Sequence, residues 1–296
     1  MISRRGFFKT VGASFLSMMA LGSYAVAEPL VRLRTARYAL TPPGWTPGLK
    51  LRIVALADFH ACQPWMPAER IVSICEQANA LQPDVVLLLG DYVSGMRLVT
   101  DRMAPDVWAQ ALSTLQAPLG VHAVLGNHDW WEDAEVQRQG GGTPASRRVL
   151  EAVGIPVYSN RALRLEKEGR GFWLAGVEDQ LAILPRRGHP EIRKDDLAGT
   201  LAQVTDAAPV ILMAHEPDIF PQVPGRVSLT LSGHTHGGQV RLFGYAPVVP
   251  SRFGDRYVYG HVREGGRDLI VSGGLGCSGL PIRFGAPPEI VAIDLG

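Results

Sequence analysis

Five short polar clusters punctuate this chain, and each stands directly after an apolar run with the composition of a strand. They are Asp58-Phe59-His60, Gly90-Asp91, Gly126-Asn127-His128-Asp129, His215, and Gly233-His234-Thr235-His236. Open α/β sheets gather functional groups beyond the ends of their strands, so this placement points to one shared site. Oxygen and imidazole donors together suit hydrolytic divalent metals such as Mn, Fe or Zn. A single Gly-Asp pair is a weak signal, whereas five clusters in order are a strong one.

The runs between the clusters define the fold. Leu51 to Ala57 is apolar and ends at Asp58, and Pro67 to Leu81 has helical spacing opened by a proline suited to a helix start. Asp84 to Leu89 has the Val/Leu content of a strand buried on both faces. A helix over Pro105 to Leu115 and a strand over Gly120 to Leu125 complete a β-α-β-α-β order, which implies parallel strands. After the glycine stretch 140–142 and a helix over Ala145 to Ala152, the texture changes. Ile155 to Tyr158, Ala162 to Lys167 and Phe172 to Val177 read as an antiparallel meander. A helix near Asp195 to Val204, strands at Pro209 to Ala214 and Val227 to Leu231, and tail strands at Gln239 to Phe243, Asp268 to Ser272 and Glu289 to Asp294 follow. The expected class is α/β: a four-layer α/β/β/α sandwich of two mixed sheets flanked by helices.

With 46% hydrophobic residues the chain can bury a core and is not of the disordered class. The net charge of +1 provides no basic field for nucleic acid. Cys62, Cys75 and Cys277 form no C-x-x-C metal pattern, and their odd number excludes a complete disulfide framework.

The N-terminus reads as an address. Ser3-Arg4-Arg5-Gly6-Phe7-Phe8-Lys9 is a twin-arginine export motif, and the apolar run Val11 to Ala27 ends in the A-x-A pattern Ala25-Val26-Ala27. The expected organisation is a signal peptide over 1–27 cleaved after Ala27, an extended lead-in over 28–49, and one catalytic domain over 50–296. The twin-arginine translocase is then a partner during export, and the periplasm or cell envelope the destination, with association at a membrane surface.

The spacing within the clusters is informative. Asp58 and His60 are two apart, as are His234 and His236, so an extended turn aims both members of each pair to one side. Asp91 has two carboxylate oxygens, one for each of two cations held roughly 3.5–4 Å apart. Asn127 adds a neutral oxygen and His215 another imidazole. An isolated histidine is ordinarily a hydrogen-bonded structural residue. Here five of the eight fall in the clusters, and only His122, His189 and His261 keep that reading.

The ordered set Asp58-x-His60, Gly90-Asp91, Gly126-Asn127-His128-Asp129, His215, Gly233-His234-x-His236 resembles the calcineurin-like metallophosphoesterase superfamily. The segment Gly233 to Val240, the tail from Gly273 to Pro281 and Pro287 to Ile290, and the export motif are similar to a bacterial branch of exported phosphodiesterases. The resemblance implies one metal on Asp58, His60, Asp91 and His236, and a second on Asp91, Asn127, His215 and His234, with Asp91 bridging. No expected ligand is missing. It further implies a phosphate-ester substrate attacked by a metal-bridging hydroxide, with His128 as general acid on the leaving alkoxide. Position 94, three after Asp91, is serine; the serine/threonine phosphatases have an aspartate there and the purple acid phosphatases a tyrosine. What orients His128 is therefore open, with Asp129 a candidate. Trp130 and Trp131 are candidates for a substrate wall or for core packing. Arg241, Arg252 and Arg283 are either phosphate clamps or surface charges. Two other readings stand beside it: a lipid-linked pyrophosphatase of the UDP-2,3-diacylglucosamine hydrolase type, an activity that occurs among similar sequences, and, from another class, a catalytically silent metal-binding envelope protein, which would be expected to lose ligands or His128.

Overall fold

A computed structural model describes residues 3–185 and 190–296; His189 lies outside the described residues. Helix α1, Arg4–Val31, leads to strand β1, Arg34–Leu40. The expected β-α-β-α-β unit is present as β2 (Leu51–Leu56), α2 (Ala68–Ala80), β4 (Val85–Leu88), α3 (Pro105–Leu112) and β6 (Val121–Ala123). A two-residue pair, β3 (Cys62–Gln63) and β5 (Asp101–Arg102), lies within it. Helices α4 (Asn127–Trp131), α5 (Ala134–Gln139) and α6 (Ala145–Ala152) follow. The second half contains β7 (Arg161–Lys167), β8 (Arg170–Gly176), α7 (Leu197–Ala202), β9 (Val210–Met213), β10 (Leu229–Ser232), β11 (Gly260–Glu264), β12 (Arg267–Val271) and β13 (Glu289–Leu295).

Two mixed sheets result. The first has the order β1-β13-β2-β4-β6, with β2, β4 and β6 parallel and β13 antiparallel to β2. The second has the order β11-β12-β10-β9-β8-β7. Side-chain alternation along each strand assigns the layers. From β2, Leu51, Ile53 and Ala55 point into a core shared with Phe172, Leu174, Ile211, Met213 and Leu231 of the other sheet. Val54 and Leu56 point the other way, onto Ile71, Ile74, Trp108 and Leu112 of α2 and α3. The far face of the second sheet, with Ala175, Leu212 and Val271, is covered by Ile219, Phe220 and Tyr257, with Leu197 and Leu201 of α7 against it. This is the four-layer sandwich.

Three segments differ from the sequence reading. Residues 28–49 are not an extended lead-in throughout: α1 runs on to Val31, and β1 pairs in parallel with β13, from Arg34↔Glu289 to Leu40↔Leu295. This edge strand is largely exposed, so its sequence has no apolar run to announce it. Gln239 to Phe243 is not a strand but holds only the bridges Val240↔Phe284 and Leu242↔Tyr245. Positive φ at Gln239, Phe243 and Gly244 breaks the extended backbone there. Ile155 to Tyr158 contributes one bridge, Ala123↔Val157, so the meander reduces to the β7–β8 hairpin, turned through Glu168 and Gly169, both at positive φ.

Candidate metal centre

Parallel strands β2, β4 and β6 of one sheet and β9 and β10 of the other all end at one edge of the sandwich. Asp58 and His60 follow β2, Asp91 follows β4, Asn127 opens α4 after β6, His215 follows β9, and His234 and His236 follow β10. All seven side chains are buried. The turns that deliver them are tight. Asp58, His60, Asp91, His234 and His236 have φ of 56°, 49°, 59°, 70° and 53°, a region that non-glycine residues rarely occupy. Such conformations persist where the surroundings over-determine them, and they concentrate at functional sites. Gly126 is required by the neighbours: a Cβ there would lie 2.4 Å from Asp91 Oδ1 and 2.6 Å from His215 Cε1.

The donors form two overlapping groups, Asp58, His60, Asp91 and His236, and Asp91, His215 and His234. Asp91 belongs to both. Its Oδ2 lies 3.5 Å from His60 Nε2 and 3.3 Å from His215 Nε2, and its Oδ1 accepts the His128 backbone N–H at 2.8 Å.

Hydrogen bonds to main-chain carbonyls set the imidazole tautomers, because a carbonyl only accepts. His60 Nδ1 donates to Val93 O (3.1 Å), and His215 Nδ1 donates to Leu89 O (2.7 Å). In both rings Nε2 then faces the cluster. His234 is reversed: Nε2 donates to Pro250 O at 2.8 Å, leaving the Nδ1 lone pair 2.8 Å from the Asn127 carbonyl oxygen. Two acceptors this close repel unless a cation sits with them. Asp58 Oδ2 and His215 Nε2 are likewise buried with no hydrogen-bond partner. The donor set therefore fits divalent metal, and Asn127 falls with the second group.

Electrostatics favour the ligating forms of Asp91, His60, His234 and His236, whereas Asp58 and His215 give up a proton on binding metal. Burial, with the Asp91 charge nearby, pushes the Asp58 carboxyl up to about 7. Burial also pushes Asp91 up, but the His215, His128 and His60 imidazoles outweigh it and hold this carboxyl well below the usual range. Burial drives His60 down to about 3 and lowers His234 and His236, keeping all three in the neutral form that ligates. His215 is opposed by burial yet raised well above the ordinary histidine value by Asp91.

His128, in α4, sits beside the cluster with its ring edge-on to His60, 5.0 Å between centroids. Asp129 does not orient it. The Asp129 carboxylate accepts the backbone N–H groups of Asp91, Tyr92 and Gly126 and the Ser146 hydroxyl, and so fastens the loop after β4 to the start of α4. Glu132 stands at His128 instead, with Oε1 3.6 Å from Nδ1. Ser278 Oγ lies 3.4 Å from Nε2. Burial would lower His128, but Asp91 and Glu132 outweigh it and raise the imidazole. Glu132 was legible as a residue one helical turn along from His128; Ser278 carried no local signal.

The remaining candidates separate. Trp130 is core and donates to Glu178, whereas half-buried Trp131 packs its ring edge against His128 at 5.2 Å. Arg283 is neither a clamp nor a surface charge: it is fully buried, donates to the carbonyls of Gly273, Gly276 and Ala286, and sets Nη2 3.3 Å from His236 Nδ1. Arg241 lies over the Tyr259 ring and Arg252 against Asp218. Cys62, Cys75 and Cys277 are free and buried. His122 hydrogen-bonds Leu119 O and Tyr158, and His261 pairs with Asp268, both structural.

Lone pairs that cannot satisfy one another, gathered where parallel strands of two sheets end, mark a protein built to bind metal. The model of the calcineurin-like phosphoesterase family matches residues 51–238, more than half of the chain. The chain is 30% identical to an uncharacterized metallophosphoesterase of Bacillus subtilis, YkuE, over 99% of this chain and 98% of that one. It is 28% identical to the phosphodiesterase YaeI of Escherichia coli, over the full length of both. Among solved structures, the NAD nucleotidase of Haemophilus influenzae superposes with a TM-score of 0.48 at 12% identity, covering 77% of this chain and 46% of that one. The chain belongs to the calcineurin-like phosphoesterase family and is a metal-dependent phosphoric ester hydrolase.

Proposed function

We propose an exported phosphodiesterase with two divalent cations, one on Asp58, His60, Asp91 and His236, the other on Asp91, Asn127, His215 and His234. The observation that supports this most is the position of Asp91, whose Oδ2 faces His60 of one group and His215 of the other. Bound there, such cations neutralise phosphoryl charge and lower the pKa of water. The protein's own residues do the rest. The strained turns hold the donors at fixed positions, so binding a phosphate requires little reorganisation. His128 is tied through its backbone to Asp91, with the Glu132 carboxylate 3.6 Å from Nδ1 and Ser278 Oγ 3.4 Å from Nε2, and its raised pKa keeps a proton available for the departing alkoxide. Likeness to a relative named as a phosphodiesterase supports diesters over monoesters.

Export rests on the twin-arginine motif at the start of α1. That helix has 28 residues and is apolar enough to cross a membrane, with Arg4, Arg5 and Lys9 at the end the positive-inside rule keeps in the cytoplasm. A second reading, that α1 is retained as an anchor and not cleaved after Ala27, is favoured by its contacts. The Tyr24 ring packs on Phe284 and Ala25 O accepts the Arg283 N–H, contacts that cleavage would remove.

The test is an assay of the purified full chain on phosphomonoester, phosphodiester and lipid-pyrophosphate substrates, with elemental analysis of the same sample. We expect two equivalents of metal and fastest turnover of the diester. Preference for the pyrophosphate would replace the diester reading, and metal without turnover of any substrate would establish the silent one. The intact mass of envelope-derived protein decides between leader and anchor.

A further inference from the structure

Beside the metal centre, between residues 235–250 and 278–282, runs a groove of about 490 Å3. This lies within the size range of small-ligand sites, roughly 300–1,000 Å3. Its inner wall includes the ligand His236 and Ser278, the residue in contact with His128. Its outer walls are Val240, Pro247, Val248, Leu280 and Ile282. Soluble proteins rarely leave a contiguous apolar surface of this kind without a use for it. The apolar surface continues onto the hairpin Leu242–Tyr245. Phe243 at its tip is fully exposed at positive φ, and Leu242, Tyr245, Val248 and Leu280 are all about half exposed or more.

This rim adjoins the exit point of α1. Phe284, on which Tyr24 of α1 packs, bridges Val240, and its carbonyl accepts the N–H of Arg241 at the base of the hairpin. The apolar helix, the apolar tip and the mouth of the groove therefore share one neighbourhood.

We propose that this face rests on the bilayer crossed by α1, and that the groove holds the hydrocarbon portion of a membrane-borne phosphate ester while the metal centre takes its phosphate. This rests on the phosphoesterase reading and on the retained-anchor reading of α1 above, and specifies the substrate class. Phe243 and Leu242 enter the interface, and the chain slides from bilayer to groove without crossing water.

The experiment uses the full chain in lipid nanodiscs, metal-loaded, hydrolysing bis(p-nitrophenyl) phosphate. A series of alkyl phosphates from methyl to octyl is titrated as inhibitors. Burial of successive methylenes predicts an inhibition constant falling about fourfold per carbon. Val248→Asp and Leu280→Asp, both at exposed positions, are expected to flatten this series, bringing the methyl-to-octyl ratio within each variant close to one. A ratio independent of chain length in the unaltered protein overturns the proposal. So does a chain-length dependence that survives in both variants, since it reports partition into the nanodisc. Absence of turnover of this diester and of the phosphomonoester and lipid-pyrophosphate substrates, with two metals bound, overturns the phosphoesterase reading itself.

Discussion

The two ends of the β-sandwich present opposite solutions to the placement of charge. At the end away from the metal centre lies a depression of about 700 Å3, lined by Lys50, Arg52, Asp84, Lys167 and Asp294. Every carboxylate there has a partner. Arg52 pairs with Asp294 at 2.7 Å, and Lys167 pairs with Asp84 at 2.6 Å, an aspartate that also accepts the Arg52 backbone N–H. At the other end the space is smaller, the carboxylates are fully buried, and acceptors face acceptors. Volume does not mark function in this molecule. Unpaired lone pairs held by strained backbone do, because a fold tolerates their cost only where a ligand repays it.

The sharpest way to break this contrast is Asp91→Asn. Loss of the shared carboxylate should remove metal by elemental analysis and cut turnover by at least about 10²–10³-fold; full occupancy with ordinary rates would refute the bridging assignment. His128→Asn comes next. Diesters with poor leaving groups should slow by about 10²–10⁴-fold while p-nitrophenyl esters are largely spared, and equal losses on both would make His128 structural. A third experiment reads proton competition. Asp58, raised to about 7, must ionise to bind metal, whereas Asp91 is held low and His60, His234 and His236 are already neutral. Metal affinity measured by calorimetry should therefore fall about tenfold for each pH unit below 7 from Asp58 alone, and more through His215. An affinity flat between pH 5 and 7 would remove Asp58 from the ligand set. The smallest effect belongs to the far end: Lys167→Met should cost less than about 1 kcal/mol in urea unfolding and leave turnover unchanged. A large activity loss there would mean the paired end participates in function.

How much of this was legible follows from the range of each interaction. The five clusters could be read because apolar runs and the glycines that end them are local signals, and the parallel β2-β4-β6 unit followed from its β-α-β-α-β order. The identity of the donors, and hence the chemistry of oxygen and imidazole ligation, was likewise set residue by residue. Glu132 was accessible from helical spacing, once His128 was placed on a helix.

Other features exist only through contacts across the chain. Strand β1 has too few buried side chains to declare itself; it forms because β13, 255 residues away at Arg34↔Glu289, offers an edge. The burial of Arg283, the neutral forms of His60 and His236, and the raised carboxyl of Asp58 depend on which groups surround them after folding. So does Asp91 as the meeting point of two donor groups. Residue type and order determined what could bind here. Convergence of five strand ends, at distances where lone pairs repel, decided where, because desolvation and Coulomb energy are properties of assembled neighbours and not of sequence position.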